Sequence, residues 1–424
     1  MQPKLRPLHP KRRAARNEGM HRVLLAIALA TMASVAVPCV ADAERPYIPA
    51  DDAVVLQRVP TAADPRVRQL NVLRANWEGH GRDLARSTAL AAAYLDYGRA
   101  NGDSRYLGRA SAIVQPWLTL APPALPAMLV DATILQSRHN FAESRAELLE
   151  IVRRDRDNGQ AWLTLATVAQ VQGDMDAARR ACVHLIGGGD PLVAGACLSS
   201  VNLVTGRARD ANSALTDLLQ REPNASAELQ SWVQGLLADA ACVLGDARAA
   251  DAHFRLALQW TPGDNFLLAD YADFLQDQGR PKEVAALLKD YAQSDTSFLR
   301  LVLAEDALRD PQAPADVALM AARFAASDAR GTPLFRREEA LFALRLQHDP
   351  ARALAMAQAN WSVQRAPRDA QILLAAALAA GQPKAAREVL RFVADTGLED
   401  PEVRSLAARF AEPDRFASPS GSGT

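Results

Sequence analysis

The chain repeats itself roughly every 34 residues, and no other feature limits its fold as strongly. The signature is small: Gly or His, often Asp next, then a small residue about five positions after the Gly and an apolar one four later. Pro often closes the unit. It stands at Gly102, His139, Gly173, Gly206, Gly245, Gly279, His348 and Gly381, with successive spacings of 37, 34, 33, 39, 34, 69 and 33. The gap of 69 holds about two periods, so one unit there has lost its Gly. A unit of this length cannot bury its own apolar face, and neighbours must stack to make a continuous core.

Each unit reads as a helical hairpin. Around Gly173, the segment Ala161-Trp162-Leu163-Thr164-Leu165-Ala166 begins one amphipathic helix and Ala177 to Leu185 forms a second. Gly173 can end the first helix in a left-handed conformation, and Asp174 can cap the second. Ala178, Ala211, Ala250 and Ala386 fall where two helices cross too closely for a larger side chain. Pro223 and Pro262 stop the second helix of their units. Composition points the same way: 49% of the 424 residues are hydrophobic but only 5% are aromatic, with Ala and Leu carrying the apolar share. Such a mixture suits packed helices better than sandwiches or barrels, which need β-branched and aromatic residues.

At these residues the chain resembles the tetratricopeptide repeat family. That motif has a bulky residue early in the first helix, a Leu-small pair, a small residue in the second helix and a closing Pro. Trp162, Leu165-Ala166 and Ala178 match one unit; Ala250, Phe254, Ala257 and Pro262 match another; Leu268, Tyr271-Ala272, Leu275 and Leu288 match the next. Val284 replaces the small residue of that last unit, and residues 299–333 keep only a loose two-helix pattern. The resemblance covers about residues 88–400 and is closest over 159–298. It implies an all-α chain, an α-solenoid superhelix of about nine hairpins, with 299–400 as degenerate repeats. Around the array, residues 44–87 read as a lead-in with a helix from about Pro65, 401–412 as a capping helix and 413–424 as a disordered tail.

The first 43 residues carry a different pattern. Lys4, Arg6, Lys11, Arg12, Arg13, Arg16 and Arg22 precede an apolar run from Val23 to Val37, then Pro38 and Ala41-Asp42-Ala43. That is the order of a secretory signal. The run is about 15 residues, short of the ~20 that span a bilayer. Cleavage at Ala43-Glu44 and a periplasmic or secreted protein are therefore expected; an uncut membrane anchor is the alternative. Met20, directly before the run, is a candidate true start. Cleavage removes seven of the 48 basic residues but two of the 49 acidic ones, leaving a net charge of about −6. An acidic chain without a basic stripe is a poor partner for nucleic acid, whose binding rests on phosphate neutralisation. No later apolar stretch reaches membrane-span length without a charge.

Catalytic and metal motifs are missing from the sequence. His80, His139, His184, His253 and His348 show no His-Glu-x-x-His spacing, and no Gly-x-Ser-x-Gly occurs. Asp155-Arg156-Asp157-Asn158-Gly159 lacks the closing Glu of a calcium loop, and Gly187-Gly188-Gly189 lacks the Lys-Ser/Thr of a phosphate loop, so both read as turns between repeats. No cofactor or enzymatic activity is expected. Cys182 and Cys197 fall on helices that should stack; a bridge is geometrically possible, and buried reduced cysteine is the favoured reading. Cys242 stays unpaired in either case.

Function is then expected on the concave wall, built by the first helix of each hairpin. The resemblance implies that this wall holds a peptide or helix of a partner protein. Gln160, Leu163, Thr167 and Gln170 supply it in one unit; Trp232, Asp239, Phe266, Asp273 and Asp277 supply it in later ones. Aromatics beside carboxylates suit a basic or amphipathic segment. The expected role is a non-enzymatic scaffold or adaptor in the cell envelope. The alternative is a binding protein for a small ligand or glycan that uses the groove as a pocket.

Overall fold

In a computed structural model, the described residues are 64–80, 83–187, 190–329 and 336–411. The expected signal at 1–43, its cleavage point, most of the lead-in and the tail at 413–424 lie outside them. Regular structure among the described residues is entirely helical. The first helix of the described residues is α1 (Pro65–Gly79). Nine hairpins follow: α2 (Leu84–Asn101) with α3 (Arg105–Leu118), α4 (Leu125–Ser137) with α5 (Phe141–Arg154), and α6 (Gly159–Val171) with α7 (Met175–Val183). Then come α8 (Pro191–Leu203) with α9 (Ala208–Arg221), α10 (Ala227–Leu244) with α11 (Ala247–Trp260), and α12 (Asn265–Asp277) with α13 (Pro281–Leu288). The last three pair α14 (Asp295–Leu308) with α15 (Ala313–Ala329), α16 (Arg336–Arg345) with α17 (Pro350–Trp361), and α18 (Pro367–Ala379) with a 3-10 turn and α19 (Arg387–Thr396). The capping helix α20 (Pro401–Ala408) closes the array.

Every hairpin turns on one left-handed residue. The eight signature positions all have positive φ, and the ninth is Arg309 (φ 56°), which stands where the lost Gly would be. At the glycine turns the next amide donates back to the carbonyl five residues earlier, for example Asp174 to Ala169 at 2.9 Å and Asp246 to Ala241 at 2.9 Å. Asp174 and Asp246 then cap the second helix, as does Asp349 after the His348 turn: they accept from the amides three residues on at 3.0, 2.9 and 3.0 Å. Carbonyl and amide orphans of both helix ends are thereby satisfied in four residues. Ala178, Ala211, Ala250 and Ala386 are fully buried at the helix crossings, as is Val284, where a larger side chain is accommodated. Asn158 and Asp190, from the two loop motifs, cap α6 and α8.

One reading needs correction. Cys182 and Cys197 are not a reduced pair: a disulfide joins them, with Cα atoms 5.5 Å apart. The stacking of α7 on α8 brings the two sulfurs into bonding reach, which spacing alone does not reveal. Cys242 is free and partly buried.

The array coils until it meets itself. Six hairpins complete one turn, so hairpin 1 meets hairpin 7, hairpin 3 meets hairpin 9, and hairpin 4 meets the start of α20. The Arg365 amide donates to the Val171 carbonyl at 2.7 Å. The Ala208 amide donates to the Glu399 carboxylate at 3.3 Å, 191 residues away. Gly102 lies against Ser294 and Gly206 against the Gly397 carbonyl. Along this seam the C-terminal ends of first-turn helices face N-terminal ends of second-turn helices, so their dipoles meet head to tail.

Candidate functional site

The first helix of each hairpin lines the inside of the coil, and side chains reach across it. Arg368 on α18 bonds Asp277 on α12 at 3.0 Å and lies 3.5 Å from Asp273. Arg300, almost fully buried, grips Asp273 through two nitrogens at 3.1 and 2.7 Å. Arg337 grips Asp369 at 2.6 and 3.0 Å, and Asn360 and Gln364 also donate to that carboxylate. Burial alone would raise Asp273, but Arg300 and Arg368 outweigh it and hold its carboxyl below the ordinary range. Breaking such a buried pair costs roughly 3–5 kcal/mol. Asp273 therefore belongs to the structure of the wall; Asp277, half open, shares the same arginine.

The other expected wall residues separate into groups. Thr167 and Phe266 come from different hairpins yet line one cavity of about 400 Å³ at the seam. Gln160 and Leu163 line a second cavity of about 270 Å³ beside Trp162 and His184, whose rings stack at 3.9 Å. Gln170 is held by the Ser200 hydroxyl at 3.1 Å. Trp232 is half-buried and packs between helices. Asp239 is open to the groove, but the enclosing protein and the charges of Asp270 and Asp400 raise its pKa.

The seam cavity has two unlike sides. Hairpins 1 to 3 contribute helix C-termini, with Gly98, Gln136 and Val171; hairpins 6 to 8 contribute the N-termini of α12, α14 and α16. Phe266 stands at the mouth with 56% of its surface exposed, and the Arg99 guanidinium lies 5.9 Å from its ring centre. One helical turn on, Asp270 reaches solvent in the same space; the surrounding wall, which strips part of its hydration, and the neighbouring Asp273 raise its pKa. His139 stacks on Phe141 at 5.4 Å, and burial lowers its pKa, which keeps the imidazole neutral near pH 7. Among the described residues no cluster of three metal-ligating side chains forms.

No protein-family model and no curated protein matches the chain. Solved structures do. A crystal structure of the APC/C hetero-tetramer Cut9-Hcn1 aligns over 82% of this chain and 67% of its own, with a TM-score of 0.50 at 11% identity. The fold is that of a tetratricopeptide repeat solenoid. A tetratricopeptide repeat protein from Parabacteroides merdae aligns over 70% of this chain and 99% of its own (TM-score 0.36, 12% identity). The human IFIT1 dimer with m7Gppp-AAAA aligns over 82% and 86% (TM-score 0.44, 14% identity).

Reading the tetratricopeptide array as an open groove misses the seam and the residues it gathers: Arg99, Asp270, Asn265 and Gln364. A trace of the inner network was present, since Arg300, Arg337 and Arg368 recur once per first helix in the last three hairpins. No helix among the described residues is long and apolar enough to cross a membrane.

Proposed function

We propose that this chain is a non-enzymatic scaffold or adaptor of the cell envelope that holds a segment of a partner protein against the inner wall of its coil. The observation that carries this reading is the open acidic stretch at Asp239 and Asp270 next to the exposed ring of Phe266. Many inner charges are consumed by internal ion pairs; among the described residues these two carboxylates have none. Uncompensated carboxylates beside an apolar ring favour a basic or amphipathic segment. The signal-like residues 1–43 and the Cys182–Cys197 disulfide both support an exported, oxidising setting.

The test is affinity purification of the full chain from the envelope with mass spectrometry, beside an Asp239→Lys variant. The reading expects a defined partner on the wild-type chain that Asp239→Lys fails to retain. An unchanged partner set would contradict it. A second reading, a small-ligand binding protein, is favoured by the seam cavity and is developed below.

A further inference from the structure

The seam cavity holds polar groups that the fold leaves unused. Asn265 is 6% exposed; its Oδ1 accepts from the Ser297 hydroxyl at 2.9 Å, while its Nδ2 makes no hydrogen bond among the described residues. Gln364 is 5% exposed; its Nε2 donates to Asp369 at 3.3 Å, and its Oε1 accepts no hydrogen bond among the described residues. Both amides line one cavity and present a hydrogen-bonding atom to its space, a donor at Asn265 and an acceptor at Gln364. Two charges on the same lining are also unpaired. Among the described residues Arg99 has no carboxylate within ion-pair distance, and neither Arg300 nor Arg337 bonds Asp270. They flank Phe266: Arg99 over its ring, Asp270 one turn along α12.

We propose that the seam cavity is a binding site for a short peptide with both termini free. The peptide carboxylate pairs with Arg99 and the ammonium with Asp270. A central peptide group takes its hydrogen bonds from Asn265 Nδ2 and gives one to Gln364 Oε1. An apolar side chain covers Phe266, Phe141 and Leu107. The opposite, separated charges select a zwitterion over a net anion or cation. About 400 Å³ lies within the usual range for a small-molecule pocket and accommodates two or three residues. Because both turns of the coil build the walls, an occupant also ties the turns together and stabilises the closed form.

This inference goes beyond the partner reading and does not depend on it. Isothermal titration of the full chain with the tripeptide Ala-Leu-Ala, its N-acetylated form and its C-amidated form tests it. Each cap should weaken binding by about tenfold, the loss of one charge-assisted contact. Arg99→Ala should weaken the free tripeptide by a similar factor yet leave the amidated form unaffected, and Asp270→Asn should do the same for the acetylated form. Both positions are exposed, and thermal melts verify that the variants fold. Gln160→Ala, in the other cavity, should bind as the wild type does. Equal binding of capped and free peptides, or no binding to a folded chain, overturns the inference. If the tripeptide fails while Asp239→Lys still loses its partner, the scaffold reading stands alone; if the tripeptide binds and no partner is lost, the reverse holds.

Discussion

Gly206 and Gly245 occupy the same place in their hairpins and share the same backbone, with φ of 71° and 78°. Their surroundings differ. A Cβ on Gly206 would stand 2.8 Å from the Gly397 carbonyl oxygen, whereas around Gly245 nothing lies within 4 Å. The helices that follow differ in the same way: α11 is capped locally by Asp246, while α9 has no local side-chain cap and takes Glu399 from the next turn of the coil. One short motif thus serves two purposes. At Gly245 it only reverses the chain; at Gly206 it also forms the bearing surface on which the second turn rests.

Gly206→Ala should break this comparison most sharply. Both alanines suffer the left-handed penalty of roughly 1–2 kcal/mol. At Gly206 backbone must also move, which adds about 1–3 kcal/mol. Urea unfolding of the two variants measures the difference; equal losses would mean that the seam bears no load. Glu399→Ala should cost about 1 kcal/mol, as Asp246→Ala should. Only the former should speed proteolysis between α19 and α20, because only it loosens the seam.

A pH effect should fall on both turns of the coil alike. In hairpin 2, burial and the neighbouring Asp131 push Glu147 up to about 7; in hairpin 7, burial and Asp316 push Glu305 up to about 7. A carboxyl raised in the fold contributes stability that is full below its ordinary value of 4.5 and is lost as pH rises through about 7. Stability should therefore fall between pH 5 and pH 8, and Glu147→Gln with Glu305→Gln should flatten that fall. An unaltered slope in denaturation against pH would contradict the assignment. The smallest effect is expected at Arg309. Arg309→Gly relieves a left-handed side chain but frees the unfolded chain, for a net gain of about 0.5 kcal/mol in the same unfolding assay.

Turn chemistry explains how much was legible beforehand. A Gly or His at a fixed spacing, followed by Asp in four of the eight cases, reports local backbone needs, so eight of the turns and the run of about nine hairpins could be read directly. Arg309 could not, because nothing marks an L-residue that its neighbours force to be left-handed. The seam was hidden for a different reason. It depends on the small rotation between successive hairpins, accumulated over six of them, and no single residue encodes that sum. Helix-face arithmetic found Thr167 and Phe266 separately, but only the coiling shows that they share a cavity with Arg99 and Asn265. It likewise counted Asp273 as free, since its partners Arg300 and Arg368 arrive from later hairpins.

Closure of the coil on itself is the central claim, and the amide of Arg365 reports it directly. That amide sits in the loop before α18, and its hydrogen bond goes to Val171, in the first turn. Hydrogen exchange of the full chain should find it protected to a degree comparable with the helix amides of α17 and α18. Exchange at the rate of an unstructured loop, with those helices still protected, would show an open coil and contradict the account.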